Sequence, residues 1–355
     1  MLKKTPLYDQ HSNAKLVDFG GWEMPLHYGS QIEEHHQVRN DAGVFDVSHM
    51  TIIDLTGEKV QQFLRYLLAN DVGRLKTIGK AIYSCMLNEH GGVIDDLIVY
   101  YQSDEQFRMV VNSTTRDKDI AWITDHAKEF AVQVQERNDL AMIAVQGPQV
   151  ENKIKDLIPE ALTLKPFHAV WNNLFIARTG YTGENGFEIM LPVEQASYLW
   201  QDLLSKDIHP IGLGARNTLR LEAGMNLYGT DMDEGCSPLE AGLAWTVALE
   251  QPDRDFIGRK VLQTQKDTKD HRIMIALVLQ DKGVLRDHQA IYTNNGEGYI
   301  TSGSFSPTLG RSIAFARVPM GKHEQVTVRI RNKTLTAKVV KPPFVRNGKI
   351  CVDLN

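Results

Sequence analysis

Cysteine is scarce. Cys85, Cys236 and Cys351 are three thiols in 355 residues, widely spaced and without a CxxC pair. An odd, scattered trio encodes neither a disulfide framework nor a thiolate zinc site, so reduced and mostly buried thiols are expected. Long apolar runs are missing too: nowhere do about 18 uncharged apolar residues run together, and no signal-peptide core follows Lys3 and Lys4. Membrane insertion is therefore not expected, and the cytoplasm is the default compartment. No block of about five or six Lys or Arg occurs and the net charge is −5. That argues against a nucleic-acid partner, because contact with phosphates needs a basic surface. No Gly-x-Ser-x-Gly elbow is present, and none of the cysteines has a His-assisted setting. Gly212-Leu213-Gly214 lacks the third glycine of a dinucleotide site.

What is present suits a globular chain: 42% hydrophobic and 23% charged residues, with a length matched to two or three domains. Ser30-Gln31-Ile32-Glu33 forms a capping box before IEEHHQVRN, and Val60, Phe63, Leu64, Leu67 and Leu68 recur at helical spacing. Between them, 44–50 and 51–55 read as strand, turn, strand. A hairpin follows: AIYSCML, a turn over 88–92, then VIDDLIVYY, with FRMVVNS as a further strand. A helix is expected after Ser113-Thr114-Thr115, with Ile120, Trp122 and Ile123 turned inward. Two strands over 131–145 then stop at Gln146-Gly147-Pro148. Further on, NNLFIARTGYTGENGFEIMLP gives two strands joined by a glycine-rich tip, followed by the amphipathic YLWQDLL and the helical ARNTLRLEAG. The charged stretch 267–272 sets off a last segment of about 85 residues that is strand-rich and read as an all-β domain. The fold class is α+β.

The strand starting at Val93 carries two adjacent carboxylates, Asp95 and Asp96, in an otherwise apolar run. Ionised groups there need backbone N–H groups or water, or a task. Neighbouring strand residues project to opposite faces, so the two are not a proton-sharing dyad. Among the histidines, His35-His36 beside Glu33-Glu34 is the densest cluster, but adjacent helical residues point about 100° apart and do not share one ion. No metal site is expected, and the lone His49 and His90 read as structural. The tip Thr179–Ile189 holds Gly180, Gly183 and Gly186, which let the backbone turn tightly or approach a ligand. Glu188, among Phe187, Ile189 and Met190, wants a two-donor partner: Arg216, Arg220, or the amino-pyrimidinone edge of a pterin or guanine. Arg216 opposes the dipole at the start of its helix, which points to an anionic or carbonyl partner or to a plain surface arginine.

Taken in order, PLYDQH, GGWEMPL, GVFDVSHM, MLNEHGGVIDDLIVY, GYTGENGFEI, GLGARNTLRLEAGMNLYGTDMDE, SPLEAGLAWTV and FIGRKVL resemble the aminomethyltransferase, or T-protein, family of glycine cleavage over nearly the whole chain. The resemblance implies a three-domain folate-binding fold around a central channel. Residues 1–50 with 140–265 would form the folate-binding core domain, 51–139 an inserted α+β domain, and 270–355 a C-terminal β-barrel. It implies an enzyme that takes an aminomethyl group from the lipoyl arm of the H-protein, releases ammonia, and leaves 5,10-methylenetetrahydrofolate and dihydrolipoyl protein. Asp96 matches the catalytic aspartate that contacts N10 of tetrahydrofolate. Glu188 matches the carboxylate that holds the pterin edge, and Arg216 a folate-binding arginine. Tyr83, Asn112 and Tyr181 are further folate-site residues on this reading, with Arg346 as a C-terminal contact. Two rivals share the fold. A folate-binding protein of iron–sulfur maintenance carries a cysteine in a KGCYxGQE-like stretch, where this chain reads Arg254-Asp255-Phe256-Ile257-Gly258-Arg259-Lys260. The folate module of sarcosine or dimethylglycine demethylases works with a flavin oxidase, and no flavin-binding segment is present.

Overall fold

Ser30 caps a helix as its sequence predicts: its hydroxyl accepts from the Glu33 N–H and the helix runs Gln31–Asn40. A computed structural model describes residues 2–331 and 333–354. The chain falls into two units, Met1–Leu64 with Val72–Tyr83 and Leu97–Leu219, and Arg65–Asp71 with Ser84–Asp96 and Arg220–Asn355. Among the described residues, no helix is long and apolar enough to cross a membrane.

The first unit contains a six-stranded sheet in the order Ala169–Trp171, Phe175–Ala177, Gly186–Pro192, Leu140–Gln146, Gly43–Asp46, His209–Pro210. Its pairs are antiparallel except the last, where His209–Pro210 runs parallel to Gly43–Asp46. Both faces are covered, which is why these strands read as unbroken apolar runs. On one face Val44, Ile143, Val145, Phe187 and Ile189 pack with Ala196, Leu199, Trp200 and Leu203 of the helix Val193–Ser205. On the other, Phe45, Met142, Ala144, Met190 and Ala177 pack with Val38, Ala215 and Leu219. A second sheet runs in the order Ala81–Leu87, Val93–Ser103, Gln106–Val111, Thr51–Thr56, Gln133–Glu136. The expected helix after Thr115 is Arg116–Ala127. Ile123 is buried as predicted, but Ile120 and Trp122 are only half-buried, and Asp119 shares the buried face instead.

The second unit contains a closed barrel of six strands: Arg272–Leu279, Arg311–Pro319, Gly296–Ser306, Ala290–Thr293, Gln325–Ile330 and Lys333–Val340. Alternation sorts the first of these: Ile275, Leu277 and Leu279 join the barrel interior, while Ala276 and Val278 pack outward with Leu221, Phe315 and Phe344. One polar knot is wholly buried. Asp231 accepts from Thr301 Oγ1 at 2.5 Å, Ser302 Oγ at 2.8 Å, the Leu227 N–H at 2.9 Å and Arg220 Nη1 at 2.9 Å. Arg220 is therefore engaged by Asp231, and the sequence expectation that it could serve Glu188 is corrected.

Candidate functional site

Register builds the site. In the six-stranded sheet Phe45 lies opposite Ala144, Ala144 opposite Glu188, and Glu188 opposite Ala177. A row that reads Phe, Ala, Glu, Ala puts the carboxylate between two methyl groups and leaves open space above it. That space is a small pocket lined by Phe45, Val47, Ala144, Gln146, Tyr181, Thr182, Glu188 and Arg216. Its volume is about 10 Å³, close to what a single water needs.

The glycine-rich tip over this pocket has a packing cause. A Cβ on Gly180 would stand 2.0 Å from Gln146 Oε1, and one on Gly186 2.3 Å from Gln146 Nε2. Gln146 fills the volume those side chains would take, donating to the Thr179 carbonyl at 3.1 Å and accepting from Thr182 Oγ1 at 2.8 Å. Gly183, at φ +80°, supplies the left-handed turn. Arg39 ties the tip down through the Thr182 carbonyl at 2.7 Å and a buried ion pair with Glu184 at 2.6 Å.

Glu188 is half-buried and its Oε2 accepts from Thr179 Oγ1 at 2.5 Å. Burial raises its pKa above the ordinary carboxylate value, with the Thr179 hydrogen bond and the Arg216 charge pulling it part-way back. Arg216 sits in the first turn of the helix Leu213–Glu222, its guanidinium 4.5 Å from the centre of the Tyr181 ring. The helix start is placed by Glu34, which accepts from the N–H groups of Tyr28 at 2.7 Å and Gly212 at 2.8 Å.

The strand Gly43–Asp46 is held by a buried network. Asp46 accepts from Thr5 Oγ1 at 2.6 Å and the Ser48 N–H at 2.9 Å, and pairs with His11 Nε2 at 3.0 Å, while His11 Nδ1 meets the Tyr28 hydroxyl at 2.7 Å. Burial opposes the Asp46 charge, yet these partners outweigh it and hold the carboxyl below its usual value. Three residues on, His49 is 2% exposed and its Nδ1 has no hydrogen-bond partner among the described residues.

Of the residues expected from sequence, Glu188, Arg216 and Tyr181 line one pocket. Tyr83 lies half-buried in the strand Ala81–Leu87, and Asn112, also half-buried, directly follows Gln106–Val111. Neither lines the pocket. Asp96 and Arg346 belong to the second unit. There Asp95 is fully buried and Asp96 half-buried, as opposite faces of one strand require. Burial, and then the charges of Asp96 and Asp95 among other groups, raise the pKa of the enclosed Cys85 thiol. Arg346 is exposed in the short strand Val345–Arg346. His35 is buried and meets Thr218 Oγ1 at 2.7 Å; among the described residues no cluster of His, Cys, Asp or Glu could hold a metal.

Residues 7–251 match the profile of the GCVT N-terminal domain, and residues 272–346 that of the glycine cleavage T-protein C-terminal barrel domain. Aminomethyltransferases of Xanthomonas axonopodis pv. citri and Xanthomonas oryzae pv. oryzae are each 58% identical over 98% of this chain and 98% of their own. The crystal structure of the glycine cleavage system aminomethyltransferase T from Bartonella henselae superposes with a TM-score of 0.90 at 34% identity, over 98% of this chain and 99% of that one. Fold and relatives together define an enzyme of the aminomethyltransferase class. Within that class, the chain belongs to the glycine cleavage T-protein family.

Proposed function

We propose that the acceptor of this aminomethyltransferase is tetrahydrofolate, held by its pterin edge at Glu188, and that the donor is the lipoyl arm of the H-protein. The observation that carries the reading is the pocket itself. A half-buried carboxylate flanked by Ala144 and Ala177, with Arg216 lining the same pocket, suits the flat N–H pair of an amino-pyrimidinone, and a bidentate contact of that kind gives orientation as well as affinity.

In the reaction a folate nitrogen attacks the methylene carbon, and the carbon–sulfur and carbon–nitrogen bonds to the carrier and the amine break in turn. The two protons lost from N5 and N10 end on ammonia and on the lipoyl thiol. Asp96 is the residue we assign to N10, to orient it and to take or relay its proton, a role worth about 10²–10⁴-fold in rate. Tyr83, Asn112, Tyr181 and Arg346 complete the folate contacts on this reading. The three-part organisation, with 1–50 and 140–265 as the folate-binding core, 51–139 inserted and 270–355 as the barrel end, belongs to the same proposal, as does action in the cytoplasm.

The test is stoichiometric. With H-protein carrying the aminomethyl group, ammonia release is expected only when tetrahydrofolate is added. Release at an unchanged rate without folate refutes the assignment of the acceptor.

A further inference from the structure

Thr179 stands between the pocket carboxylate and a buried phenol. Its Oγ1 is 2.5 Å from Glu188 Oε2 and 3.1 Å from the Tyr100 hydroxyl, and all three residues belong to the first unit. Tyr100 lies in the strand Val93–Ser103 with no exposed surface, its ring edge-on to Phe175 at a centroid distance of 5.1 Å. Counting protons fixes the direction of the two hydrogen bonds. A hydroxyl has one proton to give, and an ionised carboxylate only accepts. Thr179 therefore donates to Glu188, and Tyr100 donates to Thr179. Tyr100 keeps its own proton, because burial first and the Glu188 charge second push the phenol pKa up. An enclosed tyrosine thus decides which way the Thr179 O–H points.

We propose that Tyr100 and Thr179 are positioning residues for Glu188, a one-way chain of hydrogen bonds that holds its carboxylate as an anion and in one orientation for the ligand. The inference deepens the folate reading above and rests on it for the identity of that ligand. A carboxylate has about four acceptor sites, and Thr179 takes one, so both oxygens can still meet the N–H pair of a pterin edge. A side chain already held in place loses less freedom when the ligand arrives. The groups that face Glu188 are Thr179, Tyr181 of the tip, Arg216 of the helix Leu213–Glu222 and Tyr100 behind Thr179; Arg108, beside Tyr100, is tied to Asp54 at 2.7 and 2.8 Å. Burial raises the Glu188 pKa, and the Thr179 hydrogen bond and the Arg216 charge are what lower it. Without the Thr179 donor the carboxyl should therefore take up its proton at a higher pH.

The carbon-13 resonance of the Glu188 carboxyl, followed through a pH titration of the unliganded protein, tests the chain apart from any ligand. Thr179→Val deletes the hydroxyl at nearly constant volume, Thr179→Ser keeps it, and Tyr100→Phe removes only the phenol oxygen. The titration midpoint is expected to rise in Thr179→Val, to rise less in Tyr100→Phe and to stay in place in Thr179→Ser. Tetrahydrofolate affinity, measured by calorimetry at a pH above every midpoint, is expected to fall about three- to tenfold in Thr179→Val, less in Tyr100→Phe, and to be kept in Thr179→Ser. A midpoint unmoved in Thr179→Val, or moved equally in Thr179→Ser, overturns the chain. Tyr100→Phe matching wild type in both measurements overturns the part given to Tyr100, and wild-type affinity in Thr179→Val despite a moved midpoint overturns the positioning role. Midpoints that move as expected in a protein that does not bind tetrahydrofolate uphold the chain and overturn the folate reading.

Discussion

Glu188→Gln tests the pocket with little change of shape. The glutamine keeps the volume of the side chain and an oxygen for Thr179 Oγ1, which now stands 2.5 Å from Glu188 Oε2. What it removes is the charge and one acceptor, and it turns an NH₂ group toward a ligand edge that is itself all donors. Hydrogen bonds to charged groups contribute about 1.5–3 kcal/mol, so the dissociation constant for tetrahydrofolate should rise about 10- to 150-fold. Titration calorimetry across a pH series reads a second consequence. The raised pKa of Glu188 means that the anion the ligand needs is lost on acidification at pH values above the ordinary 4.5, so wild-type affinity should fall within that window. The variant, having no proton to take up there, should show a flat profile. Stability moves the other way. Because the folded pKa lies above the unfolded one, the unliganded protein loses stability as pH rises through the window, and the variant escapes that loss. At neutral pH the unliganded variant should therefore melt no lower than wild type. A dissociation constant within about twofold of wild type, or the same pH slope in both proteins, refutes the assignment of Glu188 to the ligand.

Asp96→Asn should cut turnover by about 10²–10⁴-fold while changing tetrahydrofolate affinity little, the signature of a group acting in the transition state; equal losses in both quantities refute that role. Asp231→Ala should cost about 3–5 kcal/mol in urea unfolding, because Arg220 keeps its charge at 3% side-chain exposure without its carboxylate. The double variant Arg220→Met with Asp231→Leu should recover most of that loss, and a single variant costing under about 1 kcal/mol counts against the knot as a stability element.

Local rules made much of the fold readable. Ser30 marks a helix start because its hydroxyl meets an N–H three residues on, and the hairpin at 81–103 is announced by its turn. Glu188 stood out because a lone acid among Phe187, Ile189 and Met190 needs a partner. What escaped was non-local. The partners of Asp46, Thr5 and His11, lie 41 and 35 positions away, and no periodicity links them. Asp119 sits on a helix face that composition assigns to Ile120 and Trp122. Gly180 and Gly186 read equally as a ligand approach, since their packing cause, the amide of Gln146, becomes visible only when strands more than 30 residues apart are laid side by side. The enclosure of His49, which is 2% exposed, is likewise a property of its surroundings that the sequence does not show.

The strand Val93–Ser103 has a consequence for how the chain can change length. Its two neighbouring carboxylates occupy opposite faces, and its start is pinned, since a Cβ on Gly92 would lie 1.8 Å from the Glu234 carbonyl oxygen. With the pleat repeating every two residues, inserting or deleting one residue between Gly92 and Asp95 would exchange the buried carboxylate for the accessible one without altering composition at all. Between Gly92 and Asp95, therefore, only paired changes leave both aspartates on their own faces.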